Sequence, residues 1–196
     1  MHKLLFVIAV FAASLMLPAR AQPLQDGAHF YERGDYAQAL AAWRPLASQG
    51  NAEAQNNLGL LYLDGKGVPA NLSEAVRYFQ LSAAAGSALG QNNLGGLYRD
   101  GRGVPQDFAR AARWFAASAS QGNTAGMYNL GLMYELGQGM KADPVEASLW
   151  YTLAAGEVPN AAAHRDALWR NMTPAAQARA RQMAAACGQS GYKDCH

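Results

Sequence analysis

Charge is scarce in this chain. Asp, Glu, Lys and Arg make up 15% of its 196 residues, against roughly 25% in an ordinary soluble domain. Lys and Arg nowhere form a run, so nothing in the sequence would track a phosphate backbone, and no nucleic acid is expected as a partner. Cysteine is scarcer still, with only Cys187 and Cys195, both near the C-terminus. In an oxidising compartment such a closely spaced pair reads as a disulfide that pins the tail. Free thiols, or a metal site shared with His196, are the alternatives. A metal site needs three or four converging ligands, and His29 and His164 lie far apart in sequence, so neither a metal nor another cofactor is expected. The hydrolase signatures G-x-S-x-G and H-E-x-x-H are absent, and three G-x-G segments lack the G-K-[ST] ending of a phosphate loop. A non-enzyme is the expectation.

Long apolar runs are limited to one. Leu4 to Leu17 carries no charge, follows Lys3, and precedes Ala19-Arg20-Ala21, which has the A-x-A form of a cleavage site. The run is too short to span a bilayer comfortably, and no cysteine at the junction invites a lipid anchor. Residues 1–21 therefore read as a signal peptide, with the mature chain starting near Gln22 in the periplasm or outside the cell, not inserted in a membrane. Removing Lys3 and Arg20 takes the formal net charge from +2 to zero.

What the chain has in abundance is alanine and glycine in register. Leu58-Gly59, Leu94-Gly95 and Leu130-Gly131 recur every 36 residues, as do Tyr62, Tyr98 and Tyr134, and Ala75, Ala111 and Ala147. Gly65-x-Gly67, Gly101-x-Gly103 and Gly137-x-Gly139 mark one loop three times. Ala39, Trp43 and Gly50 continue the register backwards, as does Asp35 ahead of Asn71, Asp107 and Asp143.

Each row predicts two helices. Ala54, Leu58, Leu61 and Tyr62 form an apolar stripe at helical spacing, ended by glycines able to take positive φ. The second helix starts at the Asp/Asn column, with capping-box spacing from Asn71 to Glu74 and from Asp143 to Glu146. Pro45 is expected to kink the second helix of the first unit. Glycine in mid-helix at 59, 95 and 131 costs roughly 1 kcal/mol each against alanine, which points to backbone-to-backbone contact there. The aromatics Phe79, Phe115 and Tyr151 would fill the space beside it. Beyond Val158-Pro159, one helix is expected over Asn160 to Asn171, and another follows Thr173-Pro174.

The pattern A-x-x-x-L-G-x-x-Y-x-x-G-x-G-V, then D-x-x-x-A-x-x-W/F-x-x-x-A-x-x-G, resembles the Sel1-like repeat, a relative of the tetratricopeptide repeat. The third copy departs from it at Met140-Lys141. The resemblance implies an all-α chain, an α-solenoid of antiparallel helix pairs in a right-handed superhelix with C-terminal capping helices. The units are a degenerate pair at 22–50, repeats at 51–86, 87–122 and 123–156, and capping helices with a tail at 157–196.

By the same resemblance the first helices line a concave face that takes another protein or an extended peptide. The columns facing inward hold Asn56, Asn57, Asn92, Asn93, Arg99, Tyr128, Asn129 and Glu135. Related arrays use an asparagine at the column of Asn57, Asn93 and Asn129 to hold ligand backbone. The competing reading, preferred because buried polar groups must be paired, has each amide satisfy loop carbonyls of the next repeat. Arg99 and Tyr128 are the preferred contact residues, since Arg and Tyr are enriched where binding energy concentrates. The expected role is an interaction adaptor or regulator in the cell envelope. The alternatives are a hydrolase of β-lactams or cell-wall peptides, as in relatives with a cysteine pair per repeat, and a secreted factor that binds a host protein.

Overall fold

The computed structural model describes residues 23–193 and Cys195; the expected signal peptide at 1–21 lies outside them. Among the described residues there are ten α-helices and no strand. Four hairpins come first: α1 (Pro23–Glu32) with α2 (Tyr36–Ser48), α3 (Ala52–Asp64) with α4 (Leu72–Ala84), α5 (Ala88–Asp100) with α6 (Phe108–Ala119), and α7 (Thr124–Leu136) with α8 (Pro144–Ala154). Then come α9 (Pro159–Trp169) and α10 (Pro174–Gln189). Each hairpin packs on the next, so the molecule is a short α-solenoid. None of these helices is long and apolar enough to cross a membrane.

Local chemistry sets most helix ends. Asn51, Ser87 and Asn123 accept hydrogen bonds from the N–H groups of Ala54, Gly90 and Gly126 at 2.8, 3.3 and 2.8 Å. Gly65, Gly101 and Gly137 end α3, α5 and α7 in the left-handed conformation. Asn71, Asp107 and Asp143 cap α4, α6 and α8 with their side chains. The capping-box reading is only half realised. The cap N–H of Asn71 donates to the Tyr62 carbonyl at 2.8 Å, while Glu74 pairs with Arg77. Asp35 makes no capping bond and pairs with Arg33 at 3.4 Å instead. Pro45 does not end α2, which runs on to Ser48.

The mid-helix glycines face rings first, and at Gly95 the Ala111 carbonyl oxygen of the partner helix as well, 3.3 Å from a Cβ placed there. A Cβ on Gly59 would lie 2.6 Å from the Phe79 ring, one on Gly95 2.8 Å from Phe115, and one on Gly131 2.8 Å from Tyr151. Gly27 meets Trp43 in the same way in the first hairpin. A second glycine position, not anticipated from sequence, spaces successive hairpins: a Cβ on Gly90 would lie 2.9 Å from the Ala83 nitrogen, and one on Gly126 3.1 Å from that of Ala119. The last glycine of each G-x-G loop, at positive φ, lies against the start of the preceding hairpin's second helix. Gly67 approaches Tyr36, Gly103 approaches Leu72 and Gly139 approaches Phe108. The loops are inter-repeat spacers, and the third keeps its geometry despite Met140-Lys141.

The C-terminal end departs from a further stacked hairpin. Both α9 and α10 pack on α8, and they meet each other at Trp169, whose carbonyl accepts from Gln177 Nε2 at 2.8 Å. Helix α9 runs over Pro159–Trp169, ending before Asn171. The Thr173 side chain caps α10 through the Ala176 N–H at 3.2 Å. Cys187 and Cys195 are disulfide-bonded and buried with Ala184 in the core, and Tyr192 donates its N–H to the Cys187 carbonyl at 2.9 Å.

Ring contact at the glycine column carries a direct test. Gly59→Ala, Gly95→Ala and Gly131→Ala are each expected to destabilise by about 1–3 kcal/mol, because the ring cannot retreat within a packed hairpin. Gly96→Ala, with nothing within 4 Å of its would-be Cβ, leaves stability unchanged or raises it by up to about 1 kcal/mol. Urea denaturation with a common slope decides this, and equal effects at 95 and 96 would remove the ring contact as the cause.

Candidate functional site

The first helices of successive pairs touch directly, α3 with α5 and α5 with α7, whereas the second helices barely meet. The array therefore bends with its first helices inside, and their exposed columns line a groove. In its middle is a cleft of about 200 Å³ bordered by Leu63, Asn92, Asn93, Gly96, Arg99 and Asn129. Nearer the N-terminus a cleft of about 190 Å³ is bordered by Tyr31, Glu32, Trp43, Asn57 and Leu60.

The asparagines are cross-linked to one another between repeats, not to loop carbonyls. Asn93 Nδ2 donates to Asn56 Oδ1 at 2.8 Å, and Asn129 Nδ2 donates to Asn92 Oδ1 at 2.8 Å. Asn56, 2% exposed, passes a longer bond of 3.3 Å to Asn57 Oδ1. Two adjacent columns of each repeat thus meet as an amide ladder, because stacking places column 57 of one repeat beside column 56 of the repeat before.

Arg99 closes this ladder on the groove side. Its Nη1 donates to Asn129 Oδ1 at 3.0 Å, while Nε and Nη2 donate to the Asp100 carboxylate at 2.7 and 3.2 Å. Those bonds hold the Asp100 carboxyl below its usual range, against the opposing effect of burial. The guanidinium is thereby fixed over the cleft, which lowers the entropy lost when a ligand meets it.

Tyr128 and Glu135 do not border the cleft. The Tyr128 ring packs against Tyr151 and His164, each at a centroid distance of 5.7 Å. Glu135 accepts a hydrogen bond from the Tyr151 hydroxyl at 2.5 Å and faces His164 Nδ1 at 3.0 Å. Burial first, and then that bond to Glu135, push the Tyr151 hydroxyl well above its ordinary range, so it stays protonated and donates. This cluster closes the end of the groove. His164 was not singled out from the sequence, although it stands one 36-residue period after Tyr128, so the register reaches α9 even though its Leu-Gly signature is lost.

One nucleophile-like spacing does occur, S-x-x-K at Ser190 and Lys193. Such a pair needs a continuous helical turn to bring lysine to serine. Here α10 ends at Gln189, Gly191 and Tyr192 take positive φ, and Ser190 Oγ donates to the Cys187 carbonyl at 2.9 Å. Among the described residues no cluster of three or more His, Cys, Asp or Glu could hold a metal ion.

A family profile of the Sel1 repeat matches residues 52–87, 88–123 and 124–156. Among solved structures the chain is similar to a Sel1 repeat protein from Oxalobacter formigenes, with 31% identity and a TM-score of 0.67 over 71% of this chain and 56% of that one. It is also similar to a protective antigen present in uropathogenic Escherichia coli strains and displaying an SLR fold, with 24% identity and a TM-score of 0.59 over 87% of this chain and 46% of that one. The chain spans about half the length of these two structures. A comparison with curated proteins returns no match.

The amide ladder should be unequal along its length. Asn93→Ala leaves the buried Asn56 oxygen without its donor and is expected to cost about 1–3 kcal/mol, whereas Asn129→Ala, whose partners reach water, costs less than about 1 kcal/mol. Thermal denaturation of the two variants checks the order, and a larger loss at Asn129 would mean that burial does not govern the ladder.

Proposed function

The chain belongs to the Sel1-repeat family, whose stacked helical hairpins support protein–protein interaction, and from that footing we propose that it is an exported adaptor of the cell envelope whose inner groove holds an extended segment of another protein. The observation that carries this reading is the central cleft. Gly96 leaves room at its floor, Leu63 offers an apolar wall, and Asn93 and Arg99 present polar atoms at fixed positions. Each amide has capacity beyond the ladder, since its nitrogen carries two hydrogens and its oxygen two lone pairs. An extended backbone, with alternating N–H and C=O groups, is the ligand such a surface suits.

Export is supported by the leader-like sequence at 1–21 and by the Cys187–Cys195 disulfide, a bond that persists in oxidising compartments. The adaptor reading carries no catalytic step of its own. A hydrolase role is the weaker reading, because the relatives that suggest it carry a cysteine pair in each repeat and both cysteines here lie in the C-terminal tail.

Site-specific photo-crosslinking in intact cells tests the groove. A photoreactive residue at position 96 should yield a discrete protein adduct, and Arg99→Ala should reduce it about tenfold, as loss of a principal contact residue does. A probe at the exposed loop residue Lys141 should yield none. An adduct that survives Arg99→Ala in a folded protein, or forms equally from position 141, would defeat the groove assignment. Export has its own check. The mature protein should begin near Gln22, with both cysteines resisting alkylation until reduced; an N-terminus at Met1 with two free thiols would overturn it.

A further inference from the structure

The outer face repeats a feature that the inner groove does not use. At one register of the second helices an arginine precedes an aromatic residue: Arg77-Tyr78 in α4 and Arg113-Trp114 in α6. Each pair borders an outer cleft. One, of about 560 Å³, lies between α2 and α4 with Arg44 and Leu81 on its walls; the other, of about 440 Å³, lies beside α6 with Tyr98 and Arg110.

The third repeat carries Leu149-Trp150 at the same register, buried to 0% and 2% exposure. The helix that α8 has and α4 and α6 lack is α10, which packs on it. The fold thus contains one covered example of this helix face: where the two positions are apolar they are buried in the core, and a further helix packs on the same α8. In the two preceding repeats the counterpart is open, with exposed arginines beside half-buried rings.

The open counterparts differ from the covered one in charge. Arg77 pairs with Glu74 at 2.8 Å and Arg110 with Asp107 at 3.2 Å. Among the described residues Arg44 and Arg113 have no carboxylate partner, and Arg44 reaches only the Tyr62 hydroxyl, at 3.5 Å. The apolar parts are already arranged. Tyr78 is stacked on Tyr62 at 5.6 Å and covered by the Arg77 guanidinium at 4.1 Å, and Leu81 beside it is 41% exposed. Rings and leucine call for an apolar stripe on the occupant, and the two arginines without counter-charges call for carboxylates flanking that stripe.

We propose that the outer face of α4 and α6 is a second docking surface, which takes an acidic amphipathic helix of a partner protein in the way α8 takes α10. Its apolar stripe covers Tyr78, Leu81 and Trp114, and its carboxylates meet Arg44 and Arg113. This surface is separate from the inner groove, so the protein can hold one partner segment inside and another outside.

The test uses the full chain and a fluorescein-labelled synthetic helix with a leucine stripe flanked by glutamates, followed by anisotropy. The helix should bind. Binding should weaken about tenfold in the double variant Arg44→Glu, Arg113→Glu, whose side chains are exposed, and likewise in Trp114→Ala, whose ring is half-buried, with retention of the fold checked in each by circular dichroism. Arg99→Ala should leave it unchanged. Replacing the glutamates of the peptide by lysines should abolish binding. The proposal is overturned if no binding occurs, if charge reversal at 44 and 113 has no effect, or if Arg99→Ala removes binding, which would assign the helix to the inner groove. It is also overturned if a proline-interrupted peptide of the same composition binds equally, since the surface would then take a flexible polyanion.

Discussion

The contact between one aromatic ring and one glycine in each hairpin governs the geometry of this molecule. Phe79 on Gly59, Phe115 on Gly95 and Tyr151 on Gly131 bring the two helices of a pair closer than any side chain at the glycine position would permit. Close helices allow the short G-x-G loop, whose second glycine then reaches the start of the preceding hairpin's second helix. Pair spacing and repeat spacing are therefore linked through the same loop. The inner groove is a consequence of that linkage: first helices drawn together, second helices left apart, and a curved face between.

Polar groups inside the array serve the joints within and between repeats. Ser82 and Ser118 donate their hydroxyls to the carbonyls of Ala52 and Ala88 at 2.7 Å, tying the end of each second helix to the start of its first. Gln55 and Gln91 reach the Ala47 and Ala83 carbonyls of the hairpin before, at 3.1 and 3.5 Å. The asparagine ladder adds a third set of ties on the groove side. An apolar joint would tolerate sliding by small amounts, whereas the glutamine and asparagine bonds are lost if the repeats slip. Specific stacking and a defined groove are two results of one arrangement.

The two faces of the array have different chemistry for the same reason. Inside, amides and Arg99 offer hydrogen bonds at fixed points. Outside, rings and arginines offer area and positive charge. At the C-terminal end both faces are closed by the chain itself, the inner by His164 of α9 against Tyr128 and Glu135, the outer by α10 packed on α8.

Much of this was legible from residues alone, because it depends on neighbours along the chain. The 36-residue period, the left-handed glycines ending α3, α5 and α7, the caps at Asn71, Asp107 and Asp143, and the ring beside each mid-helix glycine all follow from local spacing. Tertiary structure decided what lies across repeats. Only stacking shows that Asn93 bonds to Asn56 and not to a loop carbonyl, and that α10 leaves the hairpin pattern to pack on α8. It also set Tyr128 and Glu135 against His164, which, remote along the sequence, occupies the place that a further repeat would have filled. A period in sequence specifies which residues recur, but the rotation from one hairpin to the next determines which of them meet.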